Sequence, residues 1–207
     1  MIRSCLAVLA IGVALWILPP AAASSAPQTA MEKVKSVLDA AIEIQTRKDL
    51  EGEPHRKERA VLVRELIAAS FDSSDMAREA LGAHWRKLSA GQQTEFQKLF
   101  SDLFQDSYTR MVLNFLRRET IEYRGETRRP KGVLVQTVIM RANEHIPVDY
   151  HLVQKGGRWW IRDVEIDGVS IVDNYRETFG REISRTSFDS LLQRMRLQNQ
   201  AMGREAS

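Results

Sequence analysis

Cysteine is almost missing from this chain. Its 207 residues contain one, Cys5, and that one precedes an apolar stretch near the start. A body without thiols closes no disulfide and offers no thiolate to a metal, so an apolar core has to hold it together. Histidine is scarce as well. His55, His84, His145 and His151 share no ligand spacing, and no metal site is expected. Charge of one sign is also lacking: 30 Lys+Arg stand against 27 Asp+Glu, a net charge of +3. Nucleic-acid partners usually demand a concentrated basic stripe, so none is expected here. Neither Gly-x-x-x-x-Gly-Lys-Ser/Thr nor Gly-x-Gly-x-x-Gly occurs, which excludes nucleotide binding by those routes. Gly168-Val169-Ser170-Ile171-Val172 lacks the second glycine of a nucleophile elbow. Ser170 therefore reads as the N-cap of a following helix.

Long hydrophobic runs are missing except for one, which rules out a polytopic membrane protein. Residues 6–18 form an apolar run of 13, preceded by Arg3 and followed by Pro19-Pro20 and Ala21-Ala22-Ala23. A positive start, an apolar stretch too short to cross a bilayer comfortably, and small residues at its end are the layout of a secretory signal peptide. We expect residues 1–23 to be that leader, with Ala26 as the second choice of cleavage point. About 180 residues remain, enough to bury a core of their own.

The remainder reads helices, then strands, then helices. Residues 31–48 carry Val34, Val37, Leu38, Ala41 and Ile42 at three- and four-residue spacing, an amphipathic helix ended by Gly52 and Pro54. Residues 55–69 resume the period. Phe71-Asp72-Ser73-Ser74 reads as a stop and a new cap, and 75–87 as a third helix. Ser89-Ala90-Gly91-Gln92 has the form of a capping box and opens the longest helix, to about 118. Beyond 119 the period drops to two. Residues 121–123, 133–140, 147–154 and 158–166 read as strands, with a turn beginning at Asn143-Glu144 and the hairpin signal Gly156-Gly157. Asp163, Glu165 and Asp167 line one strand face and read as solvated; Arg162 either marks a bulge or pairs with a carboxylate. Helices over 171–179, closed by Gly180, and 187–198 finish the chain. The fold class is α+β: a helical part packed on one twisted antiparallel sheet of about four strands.

The stretch from Trp160 to Phe179, with Asp163-Val164-Glu165-Ile166-Asp167-Gly168-Val169-Ser170 at its centre, resembles the signature of the periplasmic MlaC / toluene-tolerance family. A second block agrees: Phe71-Asp72, Met76-Ala77, Ala80-Leu81-Gly82 and Trp85, continuing through Ser89, Gln92, Phe96, Phe100 and Tyr108. The likeness covers residues 31–195. It implies a single lipid-binding domain over 24–207, an apolar pocket for acyl chains, and bound phospholipid as cargo rather than any cofactor. It also implies a periplasmic location and two docking partners: an inner-membrane ABC lipid-transport complex and an outer-membrane lipoprotein–porin complex.

Large apolar side chains suit such a pocket. Phe96, Leu99, Phe100, Leu103 and Phe104 of the long helix form a stripe that reads either as core or as pocket wall. From the strands we select Val148, Tyr150, Leu152, Val164 and Ile166. Tyr108 and Tyr175 suit the mouth, where a hydroxyl reaches a polar head group, and Arg176 adds positive charge there. Two rivals remain. An enzyme with a cone-shaped pocket would need a titratable group inside it, yet alternation turns Asp163 and His151 away from Tyr150 and Val164; no catalytic residue is expected. A chaperone would use the same apolar groove for polypeptide.

Overall fold

The structure, a computed structural model, describes residues 29–117, 119–141 and 144–206. The expected leader with Cys5, the expected helix end at 118 and the turn residue Asn143 lie outside the described residues. The first helix, α1 (Ala30–Thr46), opens on a capping box: Thr29 Oγ1 accepts from Glu32 N at 3.1 Å, and the Glu32 carboxylate accepts from Thr29 N at 2.7 Å. The chain turns at Gly52, and buried Arg59 donates to the carbonyls of Leu50 and Gly52, fixing that corner. Helix α2 (Arg56–Ser70) follows. Asp72 N then donates to Ile161 O at 2.8 Å, joining the corner after α2 to the sheet. Asp72 also caps α3 (Ser73–Leu81) by accepting from Asp75 N at 3.1 Å.

The sequence predicts one helix across 75–87. The chain instead tightens after Leu81 into a 3-10 segment, Gly82–Lys87. Gly82 has φ of 51°, a backbone that ends a helix readily only at glycine, and the Arg176 side chain lies 3.4 Å from where a Cβ would sit. The longest helix, α4 (Ala90–Phe115), begins on the capping box read from the sequence, with Ser89 Oγ accepting from Gln92 N at 3.3 Å.

Five strands follow in the order β1-β2-β3-β4-β5, each antiparallel to its neighbour. They are β1 (Thr120–Arg129), β2 (Gly132–Arg141), β3 (Glu144–Lys155), β4 (Arg158–Ile166) and β5 (Val169–Ser170). The fifth, beyond the four or so expected, is a two-residue strand whose shortness hides it from any periodicity. Gly156 and Gly157 both have positive φ, 59° and 76°, as the tight β3–β4 turn requires. The register pairs Tyr150 with Val164, Val148 with Ile166, and Val135 with Tyr150, so these side chains share one face. A bulge falls between His151 and Leu152, whose partners are Asp163 and Ile161. Arg162 is the extra residue, and it also forms an ion pair with Glu79. Both options left open by the sequence are realised at once.

Ser170 caps α5 (Ile171–Arg185) by accepting from Asp173 N at 3.0 Å. The helix passes through Gly180 instead of closing there. A helical glycine costs only about 1 kcal/mol, and Ile183 in the next turn packs on the core. The last helix, α6 (Phe188–Ala206), likewise outruns its expected end at 198, because buried Met202 supplies one more anchor. Helices α3, α5 and α6 gather around α4, while α1 and α2 connect α4 to the sheet.

Candidate functional site

Helix α4 has two halves with different surroundings. Phe96, Phe100 and Phe104 occupy the first, each with no exposed surface. Phe96 meets Phe179 edge-on at 5.7 Å, Phe100 meets Tyr175 at 5.2 Å, and Phe104 meets Phe71 at 5.1 Å. Leu99 and Leu103 are buried beside them. This half is a solid aromatic core. At Tyr108, whose ring lies 4.3 Å from that of Phe104, the packing opens.

The space beyond is an apolar cavity of about 310 Å³. Helix α1 contributes Val37, Leu38 and Ala41; α2 contributes Val63, Leu66 and Ile67, with Phe71 just after it. The second half of α4 contributes Tyr108, Met111, Val112 and Phe115. The sheet supplies Ile139, Ile146, Val148, Tyr150, Val164 and Ile166. One lining residue is charged, Arg141 at the end of β2.

Of the residues selected from the sequence, Tyr108, Val148, Tyr150, Val164 and Ile166 meet around this hollow. Phe96, Leu99, Phe100, Leu103 and Phe104 do not reach it; they pack against α3, α5 and α6. Leu152 lies past the end of the hollow, buried between Val133 and Ile161 on the neighbouring strands. Tyr175 is not at a mouth: it stacks on Phe179 at 5.4 Å and bonds Ser107. Arg176 runs across Gly82 and donates to Glu79 O at 2.9 Å, also away from the hollow. The walls given by α1, α2 and the end of α4 were missed. Their apolar stripes were visible in the sequence, but a stripe does not say whether it faces a packed neighbour or a void.

Apart from Arg141, the polar side chains on the wall are the neutral phenols Tyr108 and Tyr150. Burial pushes the Tyr108 hydroxyl far above the usual phenol range, with Tyr175 and Asp163 adding to the shift. Burial does the same at Tyr150, with Tyr123 contributing. Neither ionises at any ordinary pH, so the hollow carries hydroxyl dipoles and no anion. Asp163 stays out of it, as the alternation implied, but it is half-buried and bonded rather than freely solvated. It accepts from Val164 N at 2.8 Å, Ser170 Oγ at 2.5 Å and Val172 N at 3.1 Å, which ties β4 to the start of α5. Among the described residues, no group of three His, Cys, Asp or Glu is placed to hold a metal ion, and no helix is long and apolar enough to cross a membrane.

Helices and an antiparallel meander closing around an apolar hollow define the class: an α+β protein with internal room for an apolar guest. A family model described as MlaC protein matches residues 35–197, and the chain belongs to that family. It is similar to the intermembrane phospholipid transport system binding protein MlaC of Haemophilus influenzae, with 23% identity over 122 residues. That match covers 56% of this chain and 57% of the relative, so it spans little more than half of either. A solved structure of a phospholipid-binding protein from Ralstonia solanacearum, in complex with a phospholipid, has the same fold: TM-score 0.71 and 23% identity, covering 84% of this chain and 98% of that one.

Proposed function

We propose that this chain is a periplasmic phospholipid carrier that shuttles lipid between an outer-membrane lipoprotein–porin complex and an inner-membrane ABC lipid-transport complex, maintaining outer-membrane lipid asymmetry. The observation that carries the reading is the hollow itself, apolar on all its walls apart from Arg141 and two phenols. The phospholipid named with the Ralstonia structure and the transport system named with the Haemophilus relative support the same direction. Export by a leader at 1–23 is part of the proposal.

The energetics favour hand-over between proteins. A diacyl lipid hides about 30 methylenes at roughly 0.8 kcal/mol each, near 25 kcal/mol relative to water. That exceeds the practical ceiling of non-covalent affinity, about 18–21 kcal/mol. Release into water is therefore negligible, while transfer from one greasy site to another is nearly isoenergetic. The carrier needs no reaction, so we read it as a binding protein rather than an enzyme. Native mass spectrometry of the purified mature protein tests this. The expected result is an adduct with the mass of a diacyl glycerophospholipid. A chain that leaves its host without lipid, and takes none from vesicles, overturns the proposal; copurifying polypeptide instead would make it a chaperone.

A further inference from the structure

We propose that Arg141 is the phosphate anchor of this cavity: its guanidinium holds the phosphodiester of the cargo at the line where the greasy wall meets the wet one. The inference rests on the carrier reading and adds a residue and a chemical class to it. Arg141 borders two spaces. It is the one charged side chain on the apolar hollow, and with Met140 it also borders an open polar recess lined by Thr46, Lys48, Glu51, Arg117 and Glu119. A diacyl lipid has its own boundary of this kind, and its phosphate sits there.

The side chain is held but not consumed. As the last residue of β2, Arg141 pairs with Glu144 across the ladder, so its backbone is fixed. Its guanidinium lies over the Phe115 ring, 5.6 Å from the centroid, a cation–π contact that occupies no hydrogen-bond donor. The carboxylate beside it is Glu119, 3.9 Å from Nε, too far for a hydrogen bond. Glu119 already accepts from Arg117 N at 2.5 Å. The terminal nitrogens of Arg141 thus make no hydrogen bond among the described residues. Arg141 is itself exposed, whereas Arg59, a buried arginine of the same recess, is spent on the carbonyls of Leu50 and Gly52. A planar fork of donors at the edge of a low-dielectric hollow is the geometry that grips a phosphodiester through two bonds. Phe115 is exposed despite its size, and in this reading it is the platform that keeps the fork aimed.

Lipid-stripped protein is offered vesicles that contain equal amounts of a phosphatidyl lipid and the diacylglycerol with the same chains. Uptake is read by native mass spectrometry. Wild type takes the phosphatidyl lipid in preference by roughly tenfold to a hundredfold, the range of charge-assisted hydrogen bonds. Arg141→Gln loses the preference yet still loads diacylglycerol, and Arg141→Lys, which keeps charge but not the fork, falls between. Circular dichroism and melting establish that each variant is folded; Phe115→Leu, which removes only the platform, weakens the preference in the same direction and serves should Arg141→Gln not fold. Equal preference in wild type and folded Arg141→Gln overturns the anchor while leaving the carrier reading intact, whereas wild type that loads neither lipid overturns the carrier reading itself. Inorganic phosphate alone is expected to leave the melting temperature unchanged. A shift that disappears in Arg141→Gln would make this a site for soluble anions and overturn the lipid assignment.

Discussion

At Gly132 there is no room for a side chain. A Cβ there would fall 1.9 Å from Leu152 O, and φ is 137°. The glycine lets β2 start flush against β3, which sets the register that later brings Val148 and Tyr150 onto the cavity face. Gly132→Ala is expected to destabilise the protein by roughly 2–4 kcal/mol, from backbone strain and forced separation of two strands together. A lowered urea midpoint with an unchanged slope is the result that fits; an unchanged midpoint would contradict the close approach. Other single residues were legible because their chemistry is local. Ser89 and Ser170 cap helices wherever they occur before a helical period, and both do so here. Asp163 was not legible. Its role depends on Ser170 and Val172, brought back to it by the turn at Gly168, and alternation sees only which face a residue takes.

Along α4 the apolar period runs unbroken from Phe96 to Phe115, yet the helix does two different jobs. Periodicity identified its buried face and could not divide it, since the division is made by other elements: Tyr175 and Phe179 of α5 and Phe188 of α6 meet the rings of the first half, whereas Met111, Val112 and Phe115 of the second face the hollow. The aromatic residues chosen from the sequence went to the covered half, where large rings interlock best. Two substitutions separate the halves. Phe100→Ala removes a fully buried ring and is expected to cost about 3–5 kcal/mol of stability while leaving lipid capacity in the surviving folded protein unchanged. Val112→Trp, projecting into the hollow, is expected to cut lipid load several-fold with little change in melting temperature. Thermal melts and lipid quantification on both variants check this; loss of load in Phe100→Ala with stability intact would reverse the assignment of the two halves.

For the molecule as a whole, the order helices–sheet–helices, the α+β class and the antiparallel meander were readable, because each rests on period changes and turn residues that are contiguous in sequence. The hollow was legible only through the family resemblance, and periodicity could not place its walls, because a void is made by what fails to fill it. Its size has a consequence. An apolar hole of about 150 Å³ admits one benzene, so 310 Å³ accommodates roughly a dozen carbons, fewer than the ~30 of two acyl chains. The walls must part when both chains enter. The aromatic half cannot yield, since its rings are in close contact and separating them would open new voids. The walls that can yield are α1 and α2. Each presents one apolar stripe to the hollow, and α1 is held at its ends, by Met31 N donating to the Glu126 carboxylate at 2.9 Å and by Gln45 Nε2 donating to the carbonyls of Val112 and Leu116, both at 2.9 Å. Amide exchange of lipid-loaded against stripped protein should therefore differ in α1, α2 and residues 108–116, and agree in α3, α5 and the first half of α4. A difference spread evenly over all helices would mean that the lipid merely stabilises the fold through mass action, and one centred on the aromatic half would mean that the chains part the rings of α4 and α5 instead.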